Sequence, residues 1–192
     1  MKRSGFTHTC ALVAMILGFA VNARAQAPAP PPPANPNANI VVDNPTYLTI
    51  PLEVDVNKPA AEVWKRVGKY CDIGEWLQIP TGCTLLKGKD GEVGAVRSVA
   101  NEVLVGKTEF SYTYTQTVRA GRPYNLYHGT VEVRPVTDKT SKIYYTLIYD
   151  NSMLPDDASR EKDKASRTAT FTRAIQNMKT LAEGGTLPAR AQ

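Results

Sequence analysis

From Cys83 to Asp150 the chain reads as strands only, and a single long helical pattern then closes it. The segments GAVRSVAN, EVLVGK, SYTYTQTV, YNLYHGTVEV and KIYYTLIYD are separated by turn signals such as AGRP and TDKTS. Successive side chains on a strand point to opposite faces, so each alternating segment offers one face to bury. Pro155 opens the helical pattern DDASREKDKASRTATFTRAIQNMKTLAE, and Gly184-Gly185 stops it. Asp156, Asp157 and Glu161 sit near its positive end. Phe171, Ile175, Met178 and Leu181 with Ala182 give it one apolar stripe. A sheet with one buried face needs a partner, and this helix is the only large one available. The sheet is expected to curl around it.

Upstream, Ile50, Leu52, Val54 and Val56 alternate with Pro51, Glu53 and Asp55, a strand with one buried face. NKPAAEVWKRVGKY switches to helical spacing, with Asn57 as a cap and Pro59 in the first turn. A second short helix is expected near Asp72 to Leu77, and Asp90-Gly91 in KGKDGEVG marks a hairpin turn. The order is α+β: one strand, two short helices, about six antiparallel strands and one long helix.

The N-terminus reads as an export signal. Lys2 and Arg3 precede the eleven-residue apolar run ALVAMILGFAV, and Ala23-Arg24-Ala25 supplies an A-x-A cleavage site. Eleven residues are too few to cross about 30 Å of hydrocarbon, so no stable membrane insertion is expected after cleavage. The implied organisation is a signal peptide over 1–25, a Pro-rich disordered spacer over 26–39, one domain over 40–183 and a flexible tail over 184–192. The expected location is periplasmic or secreted. Lys2, Arg3 and Arg24 leave with the signal, so 20 of the 23 basic residues remain against 18 acidic ones. They are interleaved with the acids, which gives no footprint for nucleic acid. Cys71 and Cys83 are the only cysteines beyond the signal, and an oxidising compartment favours a disulfide between them.

The domain holds one histidine, His128, and no H-E-x-x-H, C-x-x-C, G-x-S-x-G or phosphate-binding glycine loop. A histidine triad, a zinc site and a cofactor are not expected. An acid/base role remains open for Arg97, Glu102 and Glu109, whose bland reading is solvated strand charges.

The stretch AAEVWKRVGKYCDIGEW, the strand YHGTVEVRPV and the strand TSKIYYTLIYD before a final helix resemble the SRPBCC superfamily. They are similar to its polyketide cyclase/dehydrase-like group, related to START lipid-transfer domains, birch-pollen-allergen proteins and plant abscisic-acid receptors. The resemblance spans roughly residues 47–183. It implies a helix-grip fold, a seven-stranded antiparallel sheet gripping the long C-terminal helix around a deep, mostly apolar cavity.

Within that fold, Ile143, Tyr145, Leu147 and Tyr149 form the inward parity of the last strand. Tyr127, Gly129, Val131 and Val133 form that of the strand before it, leaving His128 outside. Tyr112 and Tyr114 face the same interior, and Gly129 is expected to leave space. The expected ligand-binding set comprises Tyr112, Tyr114, Tyr127, Tyr145 and Tyr149 with Gly129. Val99 and Phe171 join it, with Trp76 at the cavity mouth beside the loop LQIPTG; core packing is the alternative for Trp76. Trp64 is expected to pack structurally against the sheet. Phenols suit a hydrophobic ligand carrying a few oxygens, or an ordinary core in which they hydrogen-bond one another. Two functions follow: a carrier of a hydrophobic small molecule (lipid-, sterol- or polyketide-like), or a cavity enzyme of the cyclase/dehydratase type. A partner-binding module with a filled pocket is a third. A carboxylate or arginine beside an interior tyrosine favours the enzyme, and a cavity filled by side chains favours the partner module.

Overall fold

The protein is described from a computed structural model, which covers residue 42 and residues 44–117 and 121–189. The expected signal peptide and spacer lie outside the described residues. Seven strands run β1 (Tyr47–Val56), β2 (Leu85–Lys87), β3 (Val96–Arg97), β4 (Glu102–Thr108), β5 (Ser111–Gln116), β6 (Asn125–Pro135) and β7 (Ser141–Asp150). They form one antiparallel sheet in the order β1-β7-β6-β5-β4-β3-β2. Helices α1 (Ala60–Val67) and α2 (Ile73–Trp76) follow β1, and α3 (Asp157–Ala182) closes the chain. This is the expected helix-grip architecture.

The alternation of each strand translates directly into burial. On β1, Ile50 and Val56 are buried and the intervening Pro51, Glu53 and Asp55 are exposed. On β6 and β7 the predicted inward parities are buried throughout, and His128 is half-buried. On β5, Tyr112 and Tyr114 point inward while Thr113 pairs across the outer face with Thr130 at 2.9 Å. Registration aligns Tyr114 with Gly129 and Gly129 with Leu147, and Tyr112 with Val131 and Val131 with Tyr145.

Helix α3 is two helices energetically. Its second half buries Phe171, Ala174, Ile175, Met178 and Leu181, the predicted stripe. Its first half buries no apolar side chain. It starts two residues after Pro155: Asp156 is the cap, accepting from the Ser159 N–H at 2.7 Å. Asn57 does not cap α1; its N–H donates to Glu183 at 2.8 Å, and α1 begins after Pro59. Asn177 on α3 donates to the Trp76 carbonyl at 2.9 Å, satisfying the last turn of α2.

Cys71 and Cys83 form the expected disulfide, with a Cα–Cα separation of 5.2 Å. It ties the start of α2 to the segment entering β2, a short strand with little pairing of its own. Replacing both cysteines by serine is expected to lower stability by about 3 kcal/mol, from the lost constraint on the unfolded chain. Denaturant unfolding of wild type and the double variant measures this, with an unchanged melt counting against a stabilising bridge.

Candidate functional site

The interior is built from phenols and one ion pair. Tyr112, Tyr114, Tyr127, Tyr145 and Tyr149 are all buried, as their parity predicts. Tyr114 lies across the bare backbone of Gly129 and its hydroxyl meets that of Tyr145 at 2.6 Å, two strands away. A Cβ on Gly129 would stand 2.3 Å from the Tyr114 ring. The space expected at Gly129 is therefore filled, because an inward tyrosine opposite a glycine folds over it.

The larger correction concerns charge. Arg97 and Glu102, expected as solvated strand charges, are 0% and 3% exposed. They face each other across β3 and β4, with Arg97 Nε donating to Glu102 Oε2 at 2.7 Å and Nη2 2.5 Å from the same oxygen. Arg97 Nη1 donates to the Tyr70 carbonyl at 2.7 Å. The guanidinium is sandwiched between the rings of Tyr70 at 4.3 Å and Tyr114 at 4.5 Å. Glu102 Oε1 accepts from Gln116, whose own oxygen accepts from the Tyr124 hydroxyl. Burial with this many partners is the condition under which a buried charge persists. Glu109 is exposed, as its bland reading requires.

A second arginine closes the far side of the cluster. Arg167 on α3 lies over Tyr124 and Tyr149, both at 4.6 Å, and Tyr127 at 5.4 Å. Asp163, one turn earlier, bridges Arg167 and the Tyr149 hydroxyl. The polar half of α3 is thus held on the sheet by a cation among rings rather than by apolar burial.

Trp64 packs on Tyr112 of the sheet at 5.8 Å, as expected, whereas Trp76 does not stand at a cavity mouth. Trp76 is completely buried and stands edge-on to Tyr145 at 6.0 Å, so it packs in the core rather than at a mouth. Trp64 lines an open cleft of about 250 Å³. The cleft is walled by α1, the Asp90-Gly91 turn and the β4–β5 hairpin, and Leu104, Tyr70 and Tyr112 line it with Trp64. Gly68 lets the Trp64 ring fold back onto the helix end, since a Cβ there would stand 2.4 Å from it. Phe171 packs on Tyr145 at 4.8 Å, and Val99 borders a different surface groove with Ile79 and Thr84. The cleft itself was not legible in the sequence: its walls come from three separated segments, and no periodicity marks them.

Tyr70 and Tyr112 belong to both places. They line the cleft, meet edge-to-face at 5.4 Å, and face the Arg97 guanidinium from the cleft side. The Tyr70 hydroxyl is buried with no hydrogen-bond partner among the described residues. The Tyr112 hydroxyl has Arg97 beside it without a well-aligned hydrogen bond. Burial pushes the phenols of Tyr114 and Tyr145 far above their ordinary value, and those of Tyr112 and Tyr127 up as well, against the opposing pull of Arg97 or Arg167. Burial also pushes the Glu102 carboxyl up, against Arg97 and the hydrogen bonds it accepts. For Arg97, burial works to discharge the guanidinium, but the surrounding phenols and Glu102 win and hold it charged. Among the described residues no group of His, Cys, Asp and Glu is arranged to hold a metal, and no helix is long and apolar enough to cross a membrane.

The family described as polyketide cyclase / dehydrase and lipid transport matches residues 48–183. Among solved structures, the Zhui aromatase/cyclase from a Streptomyces species is 14% identical with a TM-score of 0.55, covering 73% of this chain and 100% of its own. A protein from Thermobifida fusca solved by NMR is 21% identical with a TM-score of 0.55, covering 74% and 99%. The ginseng major latex-like protein 151 from Panax ginseng is 14% identical with a TM-score of 0.54, covering 70% and 96%. At these identities the likeness concerns the fold. No curated protein matches the sequence.

Two measurements check the packed phenolic interior. Gly129→Ala is expected to destabilise by about 1–3 kcal/mol through overpacking against Tyr114. Adding Tyr114→Leu is expected to remove most of that cost, a coupling that a double-mutant cycle reads directly. A neutral Gly129→Ala contradicts the packing. Raised phenol pKa values also set an alkaline limit. A folded value above the unfolded value near 10 leaves stability intact below that pH and removes it above. As the pH rises past the unfolded value, each of Tyr112, Tyr114, Tyr127 and Tyr145 is expected to destabilise the fold progressively, because the unfolded chain loses its phenol protons first. Phenolate absorbance and circular dichroism should therefore change together near pH 11. Independent ionisation of these four phenols near pH 10 in a folded protein is the contrary result.

Proposed function

The chain belongs to the polyketide cyclase/dehydrase and lipid-transport family, and on that premise we propose that it binds a hydrophobic small molecule carrying a few oxygens, as a carrier and not as a catalyst. The observation that carries this reading is the double role of Tyr70 and Tyr112, floor of an open cleft and wall of the buried cluster. A ligand in the cleft meets the Trp64 ring over a floor closed by two phenols and a leucine, an aromatic and apolar lining that suits a small molecule. The remaining interior tyrosines, with Trp76 and Phe171, support that floor from behind.

Acid/base chemistry is served poorly by the same groups. An efficient general acid or base has a pKa near the working pH, and burial drives the interior phenols away from it. Arg97 stays charged, and both Glu102 oxygens are already engaged. One observation favours the second reading, a cyclase or dehydratase: Glu102 is a carboxyl raised by burial and surrounded by phenols. The disulfide supports work in an oxidising compartment, and hence export.

Native mass spectrometry of protein taken from its own host, followed by organic extraction, is expected to find a co-purifying apolar molecule. In vitro, the neutral probe phenylnaphthylamine is expected to bind wild type, and Trp64→Ala to weaken it about tenfold through lost apolar contact. No bound molecule and no probe binding would count against the carrier. Turnover of a poly-β-carbonyl surrogate that disappears in Glu102→Gln would favour the enzyme instead.

A further inference from the structure

Eight of the 18 lysine and arginine side chains among the described residues pair with a described carboxylate. Lys58, Arg66, Arg97, Arg134, Lys142, Arg160, Arg167 and Lys179 all have a carboxylate partner. Three lysines that line the cleft, Lys65, Lys69 and Lys107, make no ion pair among the described residues. They come from different walls: Lys65 and Lys69 from the end of α1, Lys107 from β4. The Lys107 ammonium reaches across to the opposite turn, since a Cβ on Gly91 would lie 3.5 Å from it.

Two carboxylates also line the cleft, Asp90 and Glu109. Asp90 is committed to structure, its Oδ1 accepting from the Tyr70 N–H at 2.7 Å. Glu109 is exposed on the hairpin. The rim carries these three lysines against two carboxylates, an excess of one positive charge around an aromatic floor.

Size narrows the occupant. The cleft holds about 250 Å³, below the roughly 300–1,000 Å³ of drug-sized pockets. It suits one or two rings, not a whole lipid or sterol. We infer that the cleft selects a compact amphipathic anion. Its rings lie on Trp64, above a floor closed by Tyr70, Leu104 and Tyr112, and its carboxylate or sulfonate lies among Lys65, Lys69 and Lys107. This inference rests on the cleft being the ligand site, and it adds the charge and the size of the ligand.

A matched pair of probes tests it: anilinonaphthalene sulfonate and phenylnaphthylamine share their rings and differ in the sulfonate. At low salt the sulfonate is expected to bind about 3- to 10-fold more tightly, the worth of a few exposed charge contacts. Raising the salt to 1 M is expected to erase that difference, because the screening length falls to about 3 Å. Lys65→Gln with Lys107→Gln is expected to erase it too, with phenylnaphthylamine affinity and melting temperature unchanged. Equal affinities for the two probes, or lysine variants that leave the sulfonate's affinity unchanged, overturn the anion inference while the carrier reading stands. Failure of both probes to bind overturns both.

Discussion

The Arg97–Glu102 pair is the constraint on which the rest of the interior depends. Strand β3 is two residues long and β2 three, so backbone hydrogen bonds alone hold that end of the sheet weakly. A charge-assisted pair directly across β3 and β4 fixes it, and the same guanidinium reaches the Tyr70 carbonyl in the α1–α2 connection. Glu102 continues the chain of contacts through Gln116 to Tyr124. One desolvated charge thus ties the helical segment, three strands and the phenols together. Such a pair adds little net stability over an apolar replacement, but loss of one partner strands the other in a dry interior. Its contribution is to fix one arrangement.

The tyrosines make that arrangement affordable in aromatic terms. A guanidinium stacked between two rings keeps attraction that water would otherwise supply. The fold uses the device twice, at Arg97 between Tyr70 and Tyr114 and at Arg167 over Tyr124, Tyr127 and Tyr149. The second use explains how the first half of α3 stays on the sheet without an apolar stripe. Phenols with strongly raised pKa values are suited to hold cations and ligand oxygens in their neutral form, and unsuited to move protons near neutrality.

The cleft and the interior share a wall only one residue thick. Tyr112 is part of the cleft on one side and lies 5.8 Å from the Arg97 carbon on the other. The disulfide beside Tyr70 anchors the same segment.

The sequence by itself determined the architecture, because period-two alternation followed by one long amphipathic helix leaves few ways to bury a face. It also determined which face of Tyr112, Tyr114, Tyr127, Tyr145 and Tyr149 turns inward, since side-chain direction on a strand is a local property. Two cysteines alone in the domain sufficed for their pairing. Tertiary structure decided what local pattern cannot encode. Arg97 and Glu102 read as surface charges until register sets them opposite each other under two rings, where mutual pairing offsets desolvation. Gly129 reads as space until the residue across the ladder proves to be a tyrosine that folds over it. Trp64 and Trp76 are told apart only by what packs above each helix: Asn177 and Tyr145 enclose Trp76, whereas the walls around Trp64 come from three distant segments. Burial of a charge, filling of a gap and opening of a cleft are properties of neighbours remote in the chain, and only the folded sheet brings those neighbours together.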